Sequence, residues 1–282
     1  MQKFARRIAA QLLAFSFVVS SATILAVALD STTSFAATGS DPLLDQQWGL
    51  TAIGAPSVWS ITRGAGVTVA VIDSGSGPHP DLDANMDIGR TMFGSIDSAG
   101  MVDVDADKGH GTHVAGIIAA VADNGIGGAG VAPQARVLPI RALDSLGAGY
   151  SMDVSKAVRF AVDTGAKVIN LSLGGEIEDP GLTAAIQYAV DRNVLVVAAA
   201  GNGAADSTPK WPAASDLTLA VTAVDQNISV TSFDQRGDYI DLAAPGTSIL
   251  STAKNDYSIQ SGTSMAAAFV SGAAALLFAA QP

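Results

Sequence analysis

Three separated segments each carry one reactive side chain into small or apolar surroundings. They are VAVIDSG with Asp73, DKGHGTHVAG with His110, and SGTSMAAAFVSG with Ser264. A carboxylate, an imidazole and a hydroxyl are the parts of a nucleophilic triad. The ring takes the serine proton, and the carboxylate holds the ring in the tautomer that can do so. Triads occur on unrelated folds in different chain orders, and the order here is Asp, His, Ser. Each residue also has a plainer role open to it. Asp73 could close an Asx turn at a strand end. Ser264, or Thr263 beside it, could cap a helix. His113, three residues after His110, reads as a structural histidine. A metal pair is disfavoured because the chain has no cysteine and no HExxH pattern.

The elements that must position these groups alternate along the chain. β-Branched and apolar runs predict strands over 67–72, 135–140, 167–171, 194–199, 217–223 and 247–251. Helical runs fall over 110–122, 151–164, 181–192 and 264–280. Buried strands alternating with helices predict an α/β fold of three layers, a mostly parallel sheet with helices on both faces. Asp73 then sits at the C-terminal end of a parallel strand, where such folds place their chemistry. Ser264 opens an Ala-rich helix, in the positive field of its N-terminus.

The chain has 282 residues, 49% hydrophobic and 15% charged, with a net charge of −11. It shows no basic patch, so nucleic acid is not an expected partner. Residues 1–37 read as a signal peptide. Lys3, Arg6 and Arg7 precede an uncharged run from Ile8 to Leu29, and small-residue cleavage sites follow at Ala26-Val27-Ala28 and Ser34-Phe35-Ala36. The run is long enough to span a bilayer, so an uncleaved anchor is the alternative, with transient membrane contact through the leader. Residues 38–282 form one domain's worth of chain, expected to be exported and monomeric. Without disulfides, its stability must come from core size and bound ions.

The three segments together resemble the active-site motifs of the subtilisin-like serine proteases (subtilases, peptidase family S8): DSG, HGTHVAG and GTSMA. The resemblance runs from about Asp41 to the last residue. It implies the subtilisin-like fold, with Asp73 orienting, His110 as general base and acid, and Ser264 as nucleophile of an endopeptidase. VLVVAAAGN, from Val194 to Asn202, resembles the family's AAAGN, which gives Asn202 the role of oxyanion donor beside the Ser264 N–H. Ser172, Leu173 and Gly174 resemble one wall of the substrate groove. Leu146, Gly147, Ala148 and Tyr150 resemble the other, with Tyr150 at an apolar S4 pocket. Ala199 and Gly201 would line an S1 pocket without evident charge, favouring an apolar P1 residue. The substrates implied are extended polypeptides. Trp211-Pro212 resembles a turn that holds a cis proline in relatives.

The resemblance also implies a structural Ca2+ ion. Its ligands would be the side chains of Asp41, Asp81 and Asn124 and the carbonyls of Ala122, Ile126 and Gly128. Hard oxygen donors from separate segments suit that ion. A turn-rich helix exit is the plainer reading of the loop.

Three departures stand out. After GTSMA the family's Pro and His are replaced by Ala267-Ala268-Phe269-Val270, which predicts altered packing with the chemistry kept. The span before Asp41 is too short for the folding prodomain of exported relatives. The chain also stops just after the nucleophile helix, so truncation is expected to leave Leu276, Leu277 and Phe278 uncovered. A non-catalytic peptide-binding module and an esterase are the competing functions. The intact triad argues against the first, and a strand-pairing groove against the second.

Overall fold

The computed structural model describes residues 41–100 and 102–282, so the leader assigned to 1–37 lies outside the described residues. An eight-stranded sheet runs in the order β3-β2-β4-β1-β5-β6-β7-β8. Its strands are β1 (Thr68–Asp73), β2 (Arg90–Phe93), β3 (Ile96–Ala99), β4 (Arg136–Arg141), β5 (Val168–Leu171), β6 (Leu195–Ala199), β7 (Leu219–Val224) and β8 (Leu242–Pro245). Every pairing is parallel except β2 with β3. The longer helices are α1 (His110–Ala119), α2 (Ser151–Asp163), α3 (Pro180–Val190) and α4 (Thr263–Ala280).

Strand periodicity divides the core in two. Val69 and Val71 of β1 and Val197 of β6 join the cluster built with α1 and α4. Ala70 and Ile72, with Val196 and Ala198, join the cluster built with α2 and α3. Successive side chains point to opposite faces, so strands covered on both sides must be apolar throughout. The helices therefore form outer layers on both faces, as expected.

β1 lies between β4 and β5, and the chain passes from one neighbour to the other through α2. That reversal opens a crevice at the C-terminal strand ends, where Asp73 terminates β1. α3 starts sharply because Asp179 accepts the Leu182 N–H at 2.8 Å and Pro180 occupies the first turn.

The sequence pattern misplaced some edges. β2 and β3 form a hairpin that was not predicted: Ile96–Ala99 is exposed along its length and shows no apolar alternation. The run at 247–251 is not part of the parallel sheet. Ile249–Ala253 (β9) pairs antiparallel with Asp256–Gln260 (β10) as a separate ribbon packed on α1.

Uncovered apolar residues at the end of α4 were also expected, and this is corrected. Leu276 and Leu277 are each 3% exposed, and Phe278 is half-buried. They belong to a cluster that takes in Leu44, Trp48, Ile53 and Trp59 from the segment before β1. α4 is long and apolar enough to cross a membrane, yet it is mostly buried in this core. The Ala-Ala-Phe departure has a local reason. The Phe269 ring lies against Gly49, where an added Cβ would sit 2.4 Å from Phe269 Cζ.

Candidate active site

Asp73 is fully buried, and its carboxylate meets the His110 ring. Nδ1 lies 2.9 Å from Oδ1 and 3.0 Å from Oδ2. The Ser74 N–H donates to Asp73 Oδ1 at 2.8 Å, which fixes the carboxylate plane. His110 is the first residue of α1, and its side chain is 30% exposed. Close approach of α1 to β1 requires Gly111, because a Cβ there would lie 1.9 Å from the Gly75 carbonyl oxygen.

Burial opposes charge on the His110 ring. The Asp73 carboxylate, aided by Asp105 and Asp103, outweighs it and raises the ring to about 9. His113 behaves as the structural histidine: it is buried, with Nε2 3.0 Å from Ile249 O and 3.1 Å from Ser258 O. Burial lowers it to about 4. It ties α1 to the β9–β10 ribbon. Among the described residues, no group of three His, Cys, Asp or Glu side chains is placed to hold a metal.

Ser264 lies in the first turn of α4, whose N-cap is Gly262; neither Thr263 nor Ser264 caps it. Its Oγ donates to the Ser172 carbonyl at 3.3 Å, and the Ser172 hydroxyl donates back to Ser264 O at 3.0 Å. Ser172 in turn accepts from Asn170 Nδ2 at 2.9 Å, and Asn170 Oδ1 accepts from Ser271 at 2.9 Å. This buried chain pins α4 to β5. Catalytic hydrogen bonds are often long or redirected before substrate binds, so a hydroxyl turned to Ser172 is compatible with a nucleophile.

Asn202 follows β6. Its Oδ1 accepts the Thr263 N–H at 2.9 Å and lies 3.0 Å from Thr263 Oγ1. Those contacts leave Nδ2 as the amide's free donor.

Asp73, His110 and Ser172 line one cleft of about 550 Å³ with Leu146, Gly147, Ala148, Leu173 and Gly174. These residues come from both of the segments expected to form walls, although Tyr150 is not among them. Leu146 is 84% exposed at the rim, and the exposed Tyr150 ring stands 6.1 Å from Phe93. Asp144 Oδ1 accepts the N–H groups of Leu146 and Ala148, both at 2.9 Å, and so shapes this loop. Gly175 exchanges two backbone hydrogen bonds with Trp211, both 2.8 Å, and the Trp211-Pro212 bond is cis.

Ala199 is buried within β6, and Tyr150, Ala199, Gly201, Asn202 and Ser264 are not among the residues that line this cleft. The stem of Lys210 packs close to both Gly174 and Gly201. A Cβ on Gly174 would lie 3.2 Å from Lys210 Cβ, and one on Gly201 would lie 2.7 Å from Lys210 Cγ. Lys210 precedes Trp211-Pro212 in an otherwise unremarked loop, so only the fold could place it there.

Of the residues expected to hold an ion, Asp41, Asp81 and Asn124 are linked by hydrogen bonds. Asp41 Oδ2 accepts the Asp123 N–H at 2.6 Å, and Oδ1 accepts those of Asn124 and Gly125 at 3.0 Å. Asn124 Nδ2 donates to Asp81 Oδ1 at 2.7 Å, and the Gly128 N–H and Tyr257 hydroxyl reach Asp81 Oδ2, both at 3.3 Å. Asp81 is fully buried, and its hydrogen-bond donors are all neutral. Burial pushes its carboxyl up to about 6; those donors work against the shift and Asp41 adds to it. A buried carboxylate with only neutral donors, and a second carboxylate near enough to oppose its ionisation, is chemistry a divalent cation would satisfy. Ala122, Ile126 and Gly128 belong to the same loop. Asn124 presents nitrogen to Asp81 here, so acting as an oxygen ligand requires its amide to turn over.

The Subtilase family pattern of peptidase S8 matches residues 64–282, and the chain belongs to that family. It is a serine endopeptidase. It is 43% identical to thermitase from Thermoactinomyces vulgaris over 85% of each chain. It is 40% identical to subtilisin Savinase from Lederbergia lenta, covering 82% of this chain and 83% of that one. A solved structure of proteases from Pseudoalteromonas arctica superposes with a TM-score of 0.80 at 33% identity, covering 86% and 87% of the two chains.

Proposed function

We propose that this chain is an exported endopeptidase that cleaves extended polypeptides through a Ser264 acyl-enzyme. The observation that carries the reading is the fully buried Asp73 carboxylate held on His110 Nδ1, with His110 lining the cleft. With Nδ1 donating to Asp73, Nε2 is left as the acceptor for the Ser264 proton. Ser264 Oγ then attacks the scissile carbonyl carbon. The oxyanion formed takes hydrogen bonds from Asn202 Nδ2 and the Ser264 N–H. His110 returns its proton to the leaving amine, and water repeats the sequence on the acyl-enzyme.

Substrate lies between the 146–150 and 172–174 segments, and the body of an apolar P1 side chain packs near Gly174 and Gly201. The signal-like leader supports export. Ca2+ bound by Asp41, Asp81, Asn124 and the carbonyls of Ala122, Ile126 and Gly128 would hold the N-terminal segment to the 122–128 loop. It takes no part in the chemistry.

The experiment is labelling with a serine-directed phosphonate followed by mapping of the modified residue. Label on Ser264, abolished together with peptide hydrolysis in a folded Ser264→Ala protein, is the expected result. Label elsewhere, or an Ala variant with unchanged turnover, would remove Ser264 as nucleophile.

A further inference from the structure

The dipeptide Asn-Gly occurs twice in the chain, at Asn124-Gly125 and at Asn202-Gly203. An Asn in that context loses its side-chain amide in water when the next backbone nitrogen attacks its Cγ, because glycine has no Cβ to obstruct the approach. The fold treats the two sites differently. At Asn124-Gly125 every reacting group is tied. The Gly125 N–H donates to Asp41 Oδ1 at 3.0 Å, Asn124 Nδ2 donates to Asp81 Oδ1 at 2.7 Å, and Asn124 Oδ1 accepts the Ile126 N–H at 3.0 Å.

Asn202 and Gly203 are both exposed. Among the described residues, neither the Gly203 N–H nor Asn202 Nδ2 makes a hydrogen bond. The attacking nitrogen and the leaving nitrogen are thus both open to water. The Asn202 Oδ1 atom, by contrast, receives the Thr263 N–H at 2.9 Å and the Thr263 hydroxyl at 3.0 Å. That hydroxyl accepts the Gly201 N–H at 3.0 Å, which leaves its own proton for Asn202. Thr263 is the first residue of the 18-residue helix α4, so both donors stand at its positive end. As Cγ becomes tetrahedral, the charge gathering on Oδ1 meets donors already in place. The loop also needs its glycine: a Cβ on Gly203 would lie 2.6 Å from Ser207 Oγ.

We propose that Asn202 is a self-modification site, where deamidation in water removes the oxyanion donor and switches the enzyme off with time. This rests on the peptidase reading above. Base takes the Gly203 N–H proton, and the nitrogen pair forms a bond to Asn202 Cγ. The Cγ–Nδ2 bond breaks, and the leaving nitrogen takes a proton from water and departs as ammonia. A water then opens the cyclic imide at either carbonyl, giving aspartate or isoaspartate. The balance is one water consumed and one ammonia released, with nothing oxidised or reduced. Either product puts a carboxylate where the donor stood, and it repels the substrate oxyanion.

The experiment ages the full chain as Ser264→Ala, which prevents autolysis, in mildly alkaline buffer. Peptide mapping by mass spectrometry follows amide-to-acid conversion at 202 and 124. Conversion at Asn202 should rise with pH. It should outrun Asn124 by about tenfold or more, because the Gly125 nitrogen must first give up a hydrogen bond to a carboxylate. Thr263→Val removes one donor from Oδ1 and should slow conversion at 202. Gly203→Ala paired with Ser207→Gly, which makes room for the methyl, should slow it further with fresh activity kept. Wild-type protein aged alongside and assayed per intact chain should lose kcat in step with conversion, and Asn202→Asp should show that loss from the outset. Conversion at 202 no faster than at 124, or unmoved by Thr263→Val, overturns the inference alone. Full activity with Asn202 converted, or no peptide hydrolysis by fresh wild-type protein, overturns the peptidase reading of these residues and this inference with it.

Discussion

Both oxygens of the Asp73 carboxylate lie within hydrogen-bond distance of His110 Nδ1, at 2.9 and 3.0 Å. Burial disfavours a charged ring, but Asp73 outweighs it, with Asp105 and Asp103 adding to the effect, so the ring holds its proton up to about 9. Only the neutral ring can accept the Ser264 proton. Activity should therefore be low where His110 is protonated and should rise with pH through one ionisation, placed above the ordinary histidine value of about 6.5. A kcat/KM profile on a neutral peptide checks this. A rate independent of pH from about 5 to about 9 is incompatible with a histidine base titrating in that window.

Asn202 is held by Thr263, whose N–H and hydroxyl lie at 2.9 and 3.0 Å from its Oδ1. Asn202→Ala should lower kcat by about 10²–10³ with KM little changed, because the amide acts on charge that exists only in the transition state. That magnitude is known from a subtilisin, within this same family, and does not come from the present geometry. Thr263→Val removes the hydroxyl but not the N–H, so it should give a smaller loss of kcat. Steady-state kinetics of both variants decide the matter. An effect confined to KM would assign Asn202 to substrate binding.

The parts of the fold and site that the sequence made legible are those where local chemistry is distinctive. Asp73, His110 and Ser264 stand out because each interrupts a run of small or apolar residues, and the buried strands read clearly because both faces are covered. What stayed hidden depends on contacts between distant segments. Lys210 is an ordinary loop lysine until the fold lays it between Gly174 and Gly201. Asn170 and Ser271 are single polar residues in apolar elements, and that irregularity was the one signal that they pair across the α4–β5 contact. β3 had no pattern at all, because an exposed edge strand has no core face to impose one.

Asp103 is another group that only the structure reveals. It is almost fully buried. It accepts the Ser74 hydroxyl at 2.8 Å, the Thr112 N–H and hydroxyl at 2.8 and 2.6 Å, and the Asp105 N–H at 3.0 Å. Ser74 Oγ also lies 3.1 Å from Asp73, so the two carboxylates share one serine. Asp103 is among the charges that raise His110. Asp103→Asn should therefore move the acidic limb of the kcat/KM profile to lower pH. It should also lower the melting temperature, since an amide NH2 would face donors in place of an acceptor. A lower melting temperature with an unmoved pH limb would leave Asp103 a purely structural role.

Asp41 and Asp81 approach one loop from separate segments, and Asn124 contacts both: its N–H reaches Asp41 at 3.0 Å and its Nδ2 reaches Asp81 at 2.7 Å. Asp81 is fully buried without a cationic partner, and the chain has no cysteine to cross-link the fold. A Ca2+ ion at this point would bind the native state and not the unfolded chain. Free ion at about 100 times its dissociation constant would then add about 2.7 kcal/mol to stability. Chelation should lower the melting temperature and speed autolysis, while initial rates at moderate temperature stay nearly unchanged, because the loop does not line the cleft. Asn124→Ala should abolish most of that chelator sensitivity and lower the melting temperature in calcium itself. Scanning calorimetry with and without EDTA, paired with initial-rate assays, separates the two effects. If EDTA leaves the thermal transition of the wild-type protein unmoved, the 122–128 segment is a hydrogen-bonded turn closed by Asp41 and holds no ion.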